Sequence, residues 1–173
     1  MKNDVKKALI EKQLKGYKEA IAFSGSIKEV AKKFDGKKIT KRFDTALKEV
    51  NKDLSFTMEY NSFCVKYYNR DRCISEDNYT EYIQEDVIYL VHSYITSSYK
   101  DGICQDGVFI YENFAKAING RVEHLKKYIS DTEEALTNLE ALQAEKERIE
   151  ALREKHNDKV NFIIEHYYNL QIK

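Results

Sequence analysis

Seven residues near the end of the chain, Ile118, Val122, Leu125, Ile129, Thr132, Leu136 and Leu139, recur at alternating steps of four and three. That spacing is the a/d repeat of a coiled-coil seam and commits the segment to helix with one side against a partner surface. Leu142, Ile149, Leu152, Val160, Ile163 and Tyr167 continue an apolar stripe in a shifted frame. One unbroken helix from Tyr111 onward would run ~90 Å at ~1.5 Å per residue. Ser130 with Glu133 forms a capping-box pattern, and Asn157-Asp158 is a turn and cap signal. A single amphipathic rod cannot bury its own stripe, so the expectation is a helical hairpin that also joins two copies of the chain into a homodimer.

Proline is absent, which removes the commonest helix breaker from the whole chain. The first part reads as three helices. Val5, Leu9, Ile10, Leu14, Tyr17 and Ile21 lie at helical spacing over residues 3–23, with Ser24-Gly25 as a stop. Ser26 and Glu29 open a short second helix carrying Ile27, Val30, Ala31 and Phe34. After the Asp35-Gly36 turn, Thr40 caps a third with Phe43, Ala46, Leu47 and Val50.

The period then changes. Leu54, Phe56, Met58 and Tyr60 alternate with polar residues, and Phe63 to Tyr68 is rich in strand formers, with Asn61-Ser62 between as a hairpin turn. Residues 79–94 read as strand, although Val87, Ile88, Val91, Tyr94 and Ile95 also fit a helix face. Residues 97–107 are loop-like. The fold class is therefore α+β: N-terminal helices and a small antiparallel sheet over residues 1–107, then a long C-terminal helical hairpin or coiled coil over 108–173.

Composition excludes several functions. The six glycines stand singly, so no P-loop or G-x-G-x-x-G cradle exists for a nucleotide phosphate. The cysteines Cys64, Cys73 and Cys104 match neither zinc nor thioredoxin spacing. They read as reduced thiols. No pair among His92, His124, His156 and His166 has the i, i+4 spacing of a helical metal site. No metal or cofactor is expected, and no catalytic group stands out; the chain reads as non-enzymatic. No apolar run approaches a membrane span, and Met1 to Lys7 lack a signal-peptide core, so the expected location is the cytoplasm.

Acidic and basic residues balance at 29 each, but residues 1–60 carry a net charge of +6. Lys32, Lys33, Lys37, Lys38, Lys41 and Arg42 form the densest cationic run and are candidate phosphate contacts for nucleic acid. A lysine-rich solvated face is the plain alternative. Tyr67, Tyr68, Arg70 and Arg72 are candidate contacts to a ligand or partner protein, since aromatic faces and guanidinium forks recognise nucleotides and protein hot spots. An ordinary hairpin end is the competing reading.

The stretch Phe34-Asp-Gly-Lys-Lys-Ile-Thr-Lys-Arg-Phe43-Asp-Thr-Ala-Leu47 resembles a segment of short phage and plasmid accessory proteins of low-GC Gram-positive bacteria. The hairpin and terminal helices ending in Tyr167-Tyr168 are similar to them in general plan. Such proteins resemble counter-defence factors: inhibitors of CRISPR effectors, or anti-Thoeris sponges that sequester a cyclic nucleotide signal. The resemblance implies a protein that binds a host immune protein or its nucleotide signal stoichiometrically. The alternative is a nucleic-acid-binding accessory protein using the basic 28–48 segment.

Overall fold

Ala20, Ile27, Val30 and Ala31 fall on one face of a helix and are all buried. That shared face carries helix α1 (Lys2–Lys32) straight through Ser24-Gly25, where the sequence predicts a stop. Ser24 Oγ donates back to the Ile21 carbonyl at 2.7 Å, as a hydroxyl inside a helix commonly does. The glycine costs about 1 kcal/mol of helix propensity, less than the burial of the side chains on either side provides. Two helices therefore precede the sheet where three were expected. The computed structural model describes residues 2–59, 62–69, 87–95 and 102–171.

Helix α2 (Lys41–Val50) begins where expected, with Thr40 Oγ1 accepting from the Arg42 N–H at 3.3 Å. Its buried residues, Phe43 and Leu47, lie one turn apart. Phe43 is the centre of the core. Its ring meets those of Phe34, Phe56, Phe63, Phe109 and Phe114 at centroid distances of 5.2–6.3 Å. Such pairs contribute about 0.5–1.5 kcal/mol each beyond simple burial.

Strands β1 (Leu54–Glu59) and β2 (Ser62–Tyr68) pair antiparallel, from Leu54 opposite Tyr67 to Glu59 opposite Ser62. Ser62 thus belongs to β2, and residues 60–61 between the strands lie outside the described residues. Strand β3 (Val87–Tyr94) adds to β2, in the order β1-β2-β3. The strand reading of residues 79–94 holds for 87–94, while 79–86 lie outside the described residues. Val65 faces Val91 and Lys66 faces Tyr89, so Leu90 is an extra residue on β3. This bulge lets Leu90 and Val91 both turn inward, and it places Tyr89 and His92 together outside, their rings 5.5 Å apart.

A two-stranded ribbon, β4 (Cys104–Gln105) and β5 (Val108–Phe109), begins inside the stretch expected as loop and ends just beyond it, where helix was expected. Its turn places Asp106 and Gly107 at φ of 52° and 77°, the left-handed pair that a two-residue hairpin requires.

Helix α3 (Tyr111–Gln171) is one continuous helix of 61 residues. The expected hairpin is absent: neither Ser130 nor Asn157-Asp158 breaks it. Each of those residues costs no more than about 0.7 kcal/mol inside a helix, and no proline or glycine stands beside them to force a turn. Thr132 folds its hydroxyl back onto the Tyr128 carbonyl, satisfying itself within the helix. Ile118 and Leu125 are fully buried, and Val122, Ile129 and Thr132 are half-buried. The start of the coiled-coil seam thus packs within the chain's own core. Helix α1 runs antiparallel beside it. Lys28 donates to Asn119 at 3.0 Å, the tilted rings of Tyr17 and Tyr128 lie 5.8 Å apart, and Lys18 pairs with Glu133 at 2.8 Å.

The chain divides into two compact units, residues 1–133 and 134–173. The first holds α1, α2, the sheet, the ribbon and the start of α3. The second is the remainder of α3, in which Leu142, Ile149, Leu152, Val160, Phe162, Ile163 and Ile164 are exposed. No helix among the described residues is long and apolar enough to cross a membrane.

Candidate phosphate-binding corner

The corner between α1 and α2 is built from backbone contacts that leave its lysines pointing outward. After Lys32 the chain makes a tight turn, with Phe34 N–H donating to the Ala31 carbonyl at 2.9 Å. Gly36, at φ 69°, adopts the left-handed conformation that ends the turn. Its N–H donates to the Phe109 carbonyl at 3.0 Å, and the Phe109 N–H returns a bond to the Lys37 carbonyl at 2.9 Å. Lys38 bridges to Val108. The segment 36–38 is thereby stitched to β5. Phe34 anchors it below by an edge-on contact with Phe43, and the Thr40 cap fixes the start of α2.

On this frame Lys37, Lys38, Lys41 and Arg42 surround a single depression of about 520 Å³, with Phe34 and Thr40 completing its wall. All four cations are exposed, and among the described residues none is ion-paired with a carboxylate. The nearby acids are engaged elsewhere. Asp44 pairs with Lys48 at 2.6 Å and accepts from the Phe56 N–H at 2.8 Å. Asp35 accepts from the Tyr111 N–H at 2.9 Å. Lys37 also donates to the Lys33 carbonyl at 2.8 Å, which caps the end of α1. Lys32 and Lys33 are exposed at the same end of α1 and extend the cationic surface beyond the depression. Three ammonium groups and one guanidinium fork facing one concavity are suited to a phosphate-bearing ligand, with Arg42 able to bind two oxygens at once.

The two tyrosines of the other candidate set lie on opposite faces of the sheet. Tyr67 lies on the inner face of the sheet, buried, with its hydroxyl donating to Glu19 and its ring 5.3 Å from that of Phe23. Tyr68 is half-buried on the opposite face, because neighbouring strand residues alternate sides. The two tyrosines therefore share no stacking surface. Arg70 and Arg72 lie outside the described residues.

A second cavity, of about 270 Å³, was not foreseen from the sequence. Lys12 and Asn69, at 5% and 7% exposure, line it together with Arg121 and Tyr128. Asn69 donates to the Lys12 carbonyl at 3.2 Å, and its amide rests against Gly16, where a Cβ would lie 2.3 Å from Nδ2. Arg121 donates to the Tyr89 carbonyl at 2.7 Å and lies over the Tyr128 ring. The one available signal was a glycine within a helical run, four residues after a lysine.

No group of His, Cys, Asp or Glu among the described residues is arranged to hold a metal ion. Cys64 and Cys104 are buried, and burial pushes the Cys104 thiol above its ordinary pKa, away from the thiolate a nucleophile needs. Cys73 lies outside the described residues. His92, His124, His156 and His166 are all exposed. Comparison with known protein families, with characterised proteins and with solved structures returns no match.

Proposed function

We propose that the protein is a non-enzymatic binding protein that captures a phosphate-bearing ligand at the α1–α2 corner. Stoichiometric capture of a nucleotide signal is the mode of action of a phage or mobile-element counter-defence factor. The observation that carries the reading is the convergence of Lys37, Lys38, Lys41 and Arg42 on one depression with no carboxylate partner among the described residues. A depression of about 520 Å³ is of the size that small ligands occupy. The frame beneath it is held by backbone hydrogen bonds to β5, so little ordering is needed when a ligand binds. The resemblance of Phe34–Leu47 to counter-defence proteins falls on this same corner.

A second reading rests on Lys32 and Lys33, which carry the cationic surface past the depression. A surface of six cations is also what a nucleic-acid-binding accessory protein would lay along a phosphate backbone. The readings separate when the protein is expressed in a bacterial host, recovered, and analysed for bound protein and small molecules. Capture of a nucleotide at a fixed ratio to the chain supports the first. Bulk DNA that high salt removes, with nothing else bound, leaves only the second. Recovery of a host immune protein without any phosphate-bearing ligand overturns the role of the corner.

A further inference from the structure

We infer that the helix of the second unit pairs antiparallel with the same helix of a second copy of this chain, in a register centred between Glu154 and Lys155. From Leu142 onward the stripe keeps a single heptad frame. Leu142, Ile149, His156 and Ile163 take the d positions, with Lys146, Arg153 and Val160 at a. By sequence, Tyr167 and Leu170 continue it. Leu142 is 69% exposed and Ile163 65%, and Ile149 and Val160 also face solvent. The frame thus presents a seam that nothing among the described residues covers.

Charge selects both the partner's direction and its register. Parallel pairing in register would set Lys146 on Lys146, Arg153 on Arg153 and His156 on His156. It would also bring Glu145 against Glu150 of the other copy, since g meets the following e in that arrangement. Like charges would then oppose at Lys146, at Arg153 and between Glu145 and Glu150, each destabilising. Antiparallel pairing instead matches a with d. In the register centred between Glu154 and Lys155, Ile149 meets Val160 and Lys146 meets Ile163. Lys146 keeps its charge balanced by Glu150 of its own helix, 3.7 Å away. The polar residues Arg153 and His156 meet only each other, in the two central layers. At the flanks Glu145 faces His166, and Glu150 faces Asn157. The stem of Lys159 covers Leu152, which is exposed in the single chain. Sliding one helix by a heptad either way sets Arg153 against an isoleucine and breaks the polar match, so the central polar layers fix the register as a buried polar pair does in a coiled coil. Phe162 faces away from the seam, its ring stacked on that of His166 at 6.2 Å.

The test uses the full chain. Sedimentation at micromolar concentration should give twice the 20.4 kDa chain mass. Under mild oxidation the double variant Ile149→Cys/Val160→Cys should form a disulfide-linked dimer, whereas Ile149→Cys alone and Val160→Cys alone should link no more than the wild type, whose own thiols serve as the control. Ile149→Glu with Ile163→Glu should reduce the mass to that of one chain and leave the near-ultraviolet spectrum of the first unit unchanged, because both side chains are exposed. A stable monomer at tens of micromolar overturns the inference, whatever else then covers the stripe. Efficient linking of either single-cysteine variant overturns the antiparallel arrangement in favour of a parallel one.

Discussion

Replacing Gly16 by alanine should destabilise the first unit, although helix propensity alone favours the change. Alanine in a helix interior is about 1 kcal/mol better than glycine. At Gly16, however, a Cβ would stand 2.3 Å from Asn69 Nδ2, 2.6 Å from its Cγ and 3.0 Å from Ile88 Cδ1. Asn69 is 7% exposed and its amide donates to the Lys12 carbonyl, so it cannot swing aside without leaving buried groups unsatisfied. Overpacking of this kind costs about 1–3 kcal/mol, and an orphaned buried hydrogen-bonding group about 1–3 kcal/mol more. After the gain in helix propensity, the net effect is a loss of about 1–5 kcal/mol. Gly25 provides the control within the same helix: nothing lies within 4 Å of its would-be Cβ. Gly25→Ala should therefore add about 0.5–1 kcal/mol. Urea denaturation followed by near-ultraviolet circular dichroism reports the packing of the tyrosines and phenylalanines of the first unit. If Gly16→Ala proves as stable as Gly25→Ala, the close approach of Asn69 to α1 is refuted.

Leu125→Ala should cost about 2–5 kcal/mol in the same assay, because Leu125 is fully buried in the core and the seam to which it belongs is filled from within the chain; a loss under 1 kcal/mol would place that seam on a surface. Cys104, buried and with its pKa raised by desolvation, should react with iodoacetamide in the folded protein far more slowly than in urea. A raised thiol pKa also means that the unfolded chain loses this proton first as pH rises, so the Cys104 contribution to stability is intact at neutral pH and falls above the ordinary thiol pKa of 9.0. Folded-state labelling of Cys104 as fast as that of an exposed thiol would contradict its placement.

The elements governed by local rules were legible. The Thr40 cap, the strand over Leu54 to Met58 and the face of α3 that carries Ile118 and Leu125 follow from side-chain chemistry and period, and all appear in place. The errors arose where a weak local signal competed with packing. Ser24-Gly25 and Ser130 resemble helix ends, but buried residues lie on one face on both sides of each, and the helix continues. The two-residue period also carried information that the site reading did not use. With Phe63 and Val65 turned inward, Tyr67 must turn inward too, and Tyr68 outward. The cationic corner was legible as a run of lysines, though not as a concavity. Its shape depends on the bonds of Gly36 and Lys37 to Phe109, more than 70 residues away in sequence. Lys12, Asn69 and Arg121 come together only through tertiary contacts, which no spacing rule encodes.

The binding claim is tested most directly by titrating a cyclic dinucleotide, and separately a short DNA duplex, into the wild type and into a Lys38→Ala/Lys41→Ala/Arg42→Ala variant over a range of salt. All three side chains are exposed, so the variant should keep its fold. At about 1 kcal/mol for each lost charged contact, affinity for the phosphate-bearing ligand should fall about a hundredfold in the variant. For the duplex, each lost contact should make the log–log salt dependence shallower by about 0.9. A ligand should bind the wild type at fixed stoichiometry, weaken as salt rises, be recovered chemically unchanged and be lost with the three substitutions. Equal binding by both proteins, or turnover of the ligand, would contradict the binding claim.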